Sequence, residues 1–272
     1  MLHLRLNQQD YEGDKKMAIT YVGGQVGGFI GQTTAQTITF ALTGGSDSAP
    51  LAGDFVIIAY LIATQANDLA LIIKNTSAVD YTLFGAEQVS LWADDTNLRV
   101  AYRVMPGTTE TQFTVSEGAV GGDGSTTNAG AYAVYVFRGV NATPLDVAVQ
   151  QGVAHSTKLV TFGSITPVTA GAFIFAVGAG CGDSGSVYTS SNLTAFLSFY
   201  SNATAQDGVI GAGYTAWTSG AFTPATFGGG TPDNSNGSYA WTIVALAPAA
   251  GGGATRPSKL IGLIGRQQPI SQ

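Results

Sequence analysis

The sequence predicts an all-β chain, a jelly-roll-like antiparallel β-sandwich with extended N- and C-terminal arms. Three observations carry that prediction. Runs rich in β-branched and aromatic residues recur through residues 18–248, many of them alternating apolar with polar. Clusters of Gly, Ser, Asn, Asp and Pro such as "TGGSDSAP" and "GGDGSTTNAG" separate them, which is turn chemistry. No stretch sustains a 3.6-residue apolar period between helix caps, so helices are expected to be few and short.

In chain order, the first 16 residues, "MLHLRLNQQDYEGDKK", are polar after a short alternating start and read with Met17 as an N-terminal arm (1–17). Met17 opens "MAITYVGGQ", itself a natural start, and the codons for Glu12-Gly13-Asp14 have room for a purine-rich ribosome-binding stretch. Translation is therefore expected to begin at Met1 or at Met17. The body (18–248) follows, with strands predicted at "AITYV" (18–22), "QTITFAL" (36–42), "DFVIIAYLIA" (54–63), "LALIIKN" (69–75), "NLRVAYRVM" (97–105) and "TQFTVS" (111–116). Further strands are predicted at "AYAVYVFRGV" (131–140), "KLVTFGSI" (158–165), "AFIFAVGA" (172–179), "NLTAFLSFY" (192–200), "GVIGAGYTAW" (208–217) and "SYAWTIVALA" (238–247). A body of this length fits one sandwich or barrel.

Two pairs of strand texts resemble each other: "PLAGDFVII" (50–58) with "PVTAGAFIF" (167–175), and "AYAVYVF" (131–137) with "SYAWTIV" (238–244). They fall 117 and 107 positions apart, in the same order. Either the two halves contribute equivalent strands, or a β-rich chain repeats its own patterns. After the body, "PAAGGGATRPS" (248–258) is a linker by composition. Residues 249–272 are thus read as a Gly-rich linker and a C-terminal docking peptide, "KLIGLIGRQQPISQ".

Charge narrows the function classes. Only 10% of the residues are charged, while Gly, at 37 residues, is about twice its ordinary ~7% share. Residues 17–248 hold 5 basic and 14 acidic side chains, a net of −9, whereas Arg256, Lys259 and Arg266 give the last 24 residues +3. An acidic body repels phosphates, so nucleic-acid binding is disfavoured. The longest apolar run, "FVIIAYLIA", is far short of the ~20 residues of a membrane span, and no signal peptide is expected. One cysteine, Cys181, permits no internal disulfide, and no Cys/His cluster has zinc spacing.

Candidate chemistry is thin. "GAGCGDSGSVY" (178–188) contains the Gly-Asp-Ser-Gly that surrounds the nucleophile of trypsin-like proteases, and His155 lies 29 positions before Ser184. A triad needs a base, a carboxylate that orients it and an oxyanion hole. The only acid between His155 and Ser184 is Asp183, the motif's own neighbour, and Ser186 stands where the pattern requires Gly. A Gly-x-Ser-x-Gly elbow fails at the same position, and the stretch reads as a loop after a strand. Cys181 reads as a small buried thiol. Asp94, Asp95, Asp123, Asp207 and Asp233 sit in turn-like text, in no pattern for glycoside hydrolysis or an EF-hand, although "WADDTN" and "GGDGST" offer oxygen ligands for Ca²⁺. "GGQVGG" (23–28) lacks the Lys and following helix of a phosphate cradle. Trp92, Trp217 and Trp241 lie in or beside strand text and read as core first, sugar-stacking platforms second.

The stretch "AVYVFRGVNATPLDV" (133–147) is the most distinctive text. With "GDFVIIAYLIA" (53–63), "LRVAYRVMPGTTETQFTVS" (98–116) and "SYAWTIVALAP" (238–248), it resembles a family of tailed-bacteriophage virion proteins over roughly residues 50–248. The shared features are a Gly-Asp strand, a Tyr-Arg-Val strand leading to Gly and Glu, and Phe-Arg-Gly-Val followed by Pro-hydrophobic-Asp. The resemblance implies a β-sandwich of a virion, assembled in the bacterial host cytoplasm, without enzymatic activity or cofactor. Read from the residues, Gly139 permits a bend after Arg138, Pro144 stiffens the next turn, and Asp146 is expected to return and pair with Arg138.

The expected function is a non-enzymatic surface decoration (cement) or fibre-like component. Its expected partners are major capsid or tail proteins and copies of itself, as a trimer, with no nucleic acid and no membrane. The alternative is a tail-associated glycan-binding module. A glycan-cleaving enzyme is a third, more distant class. Docking is assigned to Lys259, Leu260, Ile261, Leu263, Ile264 and Arg266, because four large aliphatics in five positions favour aggregation unless something covers them.

Overall fold

The computed structural model describes residues 17–30, 35–64, 70–90, 95–108, 110–117, 128–155, 159–182, 185–203, 207–229 and 237–250, and no helix occurs among them. The first half supplies β1 (Thr20–Ile30), β2 (Gln36–Thr39), β3 (Phe55–Thr64), β4 (Leu71–Asn75), β5 (Thr82–Leu83), β6 (Gln88–Ser90), β7 (Asp95–Val104), β8 (Gln112–Glu117) and β9 (Ala129–Arg138). The second supplies β10 (Val140–Leu145), β11 (Gln150–His155), β12 (Phe173–Cys181), β13 (Tyr188–Thr189), β14 (Thr194–Ser201), β15 (Gly208–Ala216), β16 (Gly228–Gly229) and β17 (Ser238–Pro248). The expected antiparallel sandwich is present, with strands ordered as follows.

Each half builds its own sheet. The first runs β1-β9-β3-β7-β5, with β6 also on β7; the second runs β10-β17-β12-β15-β14, with β11 also on β17. The two orders match. In each, the last strand of the half lies between its opening strand and a long central strand, and the strand flanking the centre on the other side is itself flanked by one that precedes it in the chain. The look-alike texts are β3 with β12 and β9 with β17, which hold the same places in the two sheets. Their turns agree as well. Gly53 and Gly171, each two residues before the central strand, have φ of 84° and 82°. Asp54 N donates to Leu51 O at 3.0 Å and Ala172 N to Thr169 O at 3.1 Å. The self-similarity in the sequence is therefore a structural repeat.

The strand β3 is apolar without alternation because both its faces are covered. Phe55, Ile57, Ala59 and Leu61 face the second sheet, against Phe175, Val177, Ala179, Ile210, Ala212 and Val244. Val56, Ile58, Tyr60 and Ile62 face outward, under the three-stranded sheet β2-β8-β4 and its Ile38, Phe113 and Val115. Each such large aliphatic or aromatic side chain contributes about 1.5–3 kcal/mol by burial. The outer face of the second sheet is covered by Val160, Ile165, Tyr188, Leu193 and Phe227. The strand predicted at 158–165 belongs to that cover. Residues 159–164 form no strand and Ile165 makes only an isolated bridge to Phe222, because their apolar side chains serve to cover a sheet whose ladders are already complete.

The sandwich has two distinct ends. At one, Thr20 stands opposite Arg138, Phe55 opposite Phe137 and Val104, and Phe173 opposite Ala216 and Leu246. Phe137 packs edge-on against Phe173 and Tyr214, so these ends of the two sheets lie together. At the other end Thr96 Oγ1 meets Ser238 Oγ at 2.8 Å, tying β7 to β17 across the sandwich.

Candidate functional site

Several features left over once the core is accounted for lie at the first of these ends. Met17 N donates to Ala249 O at 3.2 Å, and Ala249 N to Gly139 O at 2.7 Å. The first and last described segments of the chain thus meet at this end. Beside them Arg138, the last residue of β9, reaches over the start of β3. Its Nε donates to Asp54 Oδ1 at 2.7 Å and its Nη2 to Asp54 Oδ2 at 2.9 Å, a two-pronged fork, and Nη2 also reaches Asp47 at 3.3 Å. The Asp54 side chain is 1% exposed and also accepts Leu51 N at 2.9 Å, so a buried carboxylate holds the turn ahead of β3. The hydrogen bonds to Asp54 raise the guanidinium pKa against the effect of its partial burial, and Asp47 adds to the rise.

The expected partner of Arg138 was Asp146, and the pairing found is different. Gly139 adopts φ of 81°, and the chain leaves the first sheet there, so that β10 pairs with β17 in the second. Asp146 consequently belongs to the other sheet. Its Oδ2 accepts Val168 N at 2.6 Å and Thr169 N at 3.1 Å. Asp54 and Asp146 do corresponding work: each fixes the turn that precedes the central strand of its own sheet.

Around this end stand Met17, Leu51, Val104, Leu145 and Val168, between 42% and 72% exposed. Leu51 and Val168 lie in the two turns held by the carboxylates, Val104 closes β7 and Leu145 closes β10. The residues assigned to docking (Lys259, Leu260, Ile261, Leu263, Ile264 and Arg266) lie outside the described residues.

Of the residues considered for catalysis, Cys181 and His155 sit at the opposite end. Asp183 and Ser184 lie outside the described residues. Cys181 closes β12, is 1% exposed and packs with Ala63, Ala129 and Ala203. The register places Cys181, Ser238 and His155 in one row across β12, β17 and β11. Nothing in the sequence spacing showed that juxtaposition. Two strand spacings, about 9–10 Å, separate the backbones at Cys181 and His155, and the Ser238 hydroxyl between them is engaged with Thr96.

Trp92, Asp94, Asp123 and Asp233 lie outside the described residues. Trp217 donates Nε1–H to Gly220 O at 2.8 Å, and Trp241 packs edge-on against Phe162; both are half-buried in the cover of the second sheet. Asp95 is buried. Asp207 accepts Ala203 N at 3.1 Å and the Tyr200 hydroxyl. Burial, then that carboxylate, pushes the Tyr200 phenol up to about 12. Among the described residues no group of three or more His, Cys, Asp or Glu is placed to hold a metal.

Two clefts escaped the sequence reading. One, of about 290 Å³, lies along the seam of edge strands β1 and β14 and is lined by Phe29, Ile30, Phe199, Tyr200 and Asn202. The other, also about 290 Å³, lies between β4 and β7 beside the Lys74–Asp80 pair (3.5 Å) and Arg99, which pairs with Glu87 (3.7 Å). Both join residues far apart in sequence, and no local spacing marks them. Comparison of this chain with protein-family models, curated proteins and solved structures finds no match.

Proposed function

We propose that this chain is a non-enzymatic structural protein of a tailed-phage virion, a surface decoration or fibre-like component held in place by its terminal arms. The observation that carries the reading is the meeting of Met17 and Ala249 beside the Arg138–Asp54 fork, at an end that also carries exposed aliphatics. An end that is rigid, apolar and joined to both arms has the make-up of an attachment point. The low charge of the body suits a subunit flanked by many neighbours, and the +3 tail complements a −9 body. Its partners on this reading are major capsid or tail proteins and copies of itself, as a trimer, assembled in the host cytoplasm. No residue is assigned to catalysis. The test is removal of residues 251–272: a folded body that no longer enters virions supports the reading, and entry at full copy number overturns it. Copy number itself separates head from tail, with hundreds marking the capsid and small multiples of three or six the tail.

The seam cleft favours one second reading, a glycan-binding module. Phe29 and Phe199 offer apolar ring surface beside the polar groups of Tyr200 and Asn202. Binding on a glycan array that Phe199→Ala abolishes supports it; an array without signal removes it.

A further inference from the structure

We infer that the aliphatic ring at the terminal end is the seat for the C-terminal peptide of a second copy of this chain, with Leu260, Ile261, Leu263 and Ile264 of one copy covering Leu51, Val104, Leu145 and Val168 of the next. The inference rests on the proposal that the tail is a docking element, and adds to it the surface and the partner.

Three observations carry it. First, side chains that expose large apolar area stand around one end, in turns held rigid by Asp54 and Asp146. A pre-formed apolar surface receives a peptide without the ordering cost of loops that must first fold. Second, the described chain ends at the same end of the body, where Ala249 is hydrogen-bonded to both Gly139 and Met17. Every copy therefore presents seat and peptide at the same end, and copies meeting there pass their peptides from one to the next, a head-to-tail contact that closes a ring of three. Third, the connector is long enough to reach a neighbour. Residues 250–258, "AGGGATRPS", reach about 30 Å when extended. Crossing the end of a single sandwich, whose sheets lie ~10 Å apart, needs far less.

The test uses the full chain with Cys substitutions at exposed positions, the native Cys181 being buried. One preparation carries Val168→Cys, a second Leu263→Cys, and a third both. Mixing the first two under mild oxidation should give a disulfide-linked heterodimer. In unsubstituted chains, Val168→Asp and Ile261→Asp should each weaken self-association in sedimentation equilibrium by about ten- to hundredfold, with unchanged circular dichroism. Cross-linking confined to single chains of the double variant, with the protein monomeric throughout, overturns the inference in favour of fold-back. Absence of any cross-link, combined with loss of virion entry on removing 251–272, also overturns it while leaving the docking role of the tail intact. Full virion entry without the tail removes the underlying reading itself.

Discussion

At the scale of single residues, the hydroxyl of Tyr135 crosses from β9 to a fault in β14. There two residues, 195 and 196, stand against one in β15, and Ala195 takes φ of 46°. Tyr135 Oη accepts Leu197 N at 3.1 Å and faces Ala195 O at 2.7 Å as well as Ala212 O. One phenol thus satisfies backbone groups that the bulge takes out of the ladder. Tyr135→Phe strands them, and is expected to lower stability by about 2–3 kcal/mol in urea unfolding. Removing Arg138 leaves the buried Asp54 carboxylate without its cation. Arg138→Ala should cost about 2–3 kcal/mol, and Arg138→Lys should recover only part of it, since an ammonium cannot reproduce the fork. Partly buried phenols also affect stability at alkaline pH. Burial, then the neighbouring Tyr214, pushes Tyr21 up to about 12, and Tyr200 rises equally. Their unfolded value is about 10. A raised folded pKa means the native state holds the proton longer, so the stabilisation is complete below pH ~10 and fades as pH climbs toward 12. The double variant Tyr21→Phe, Tyr200→Phe should flatten the fall in stability between pH 10 and 12, as read by denaturant midpoints.

At the scale of elements, strands were legible where side chains alternate or form short apolar runs, as in β3, β7, β9, β12, β15 and β17. The strand β1 was seen only as far as Val22. Its continuation, "GGQVGGFI", is poor in strand formers because β14 of the other sheet packs against it. A Cβ on Gly28 would stand 2.5 Å from the Phe199 ring, and one on Gly24 2.7 Å from Leu197. The strands β10 and β11 were missed for a related reason. They are short edge strands with much of their surface exposed, so no apolar pattern announces them. The error at Arg138 has the same origin. Sequence proximity favoured Asp146, eight residues on, whereas the sheet brings Asp54 to within 2.7 Å from a distance of 84 residues. The repeat, by contrast, was visible, and it makes its own prediction. Residues 17–139 hold the first sheet with its three-stranded cover, and 140–250 the second. Each half alone exposes the inner face that includes Phe175, Ile57 and Val244 in the intact body. Expressed separately the halves should aggregate or stay unfolded; coexpressed they should co-elute as one particle with the circular dichroism of the intact body.

At the scale of the whole molecule, the acidic body and the cationic tail divide the work of association in a way that kinetics can separate. The −9 of residues 17–248 is spread over a surface tens of ångströms across, and the +3 of Arg256, Lys259 and Arg266 sits on a peptide that joins it. Charges so arranged attract over a Debye length, ~10 Å at 0.1 M salt and ~3 Å at 1 M, and act on the encounter. The aliphatics act only after contact, when their surface leaves water. Raising salt from low to molar concentration should therefore slow association of full-length chains roughly tenfold or more while dissociation stays nearly constant. Replacing Arg256, Lys259 and Arg266 by Ser should reproduce the high-salt rate and remove most of the salt dependence. Ile261→Asp should do the reverse, speeding dissociation and sparing much of the salt effect on association. Surface-immobilised body titrated with free tail peptide, residues 250–272, measures both rates directly. If salt accelerates dissociation as strongly as it slows association, the basic residues are paired inside the contact, and the division of labour between charge and apolar surface is wrong.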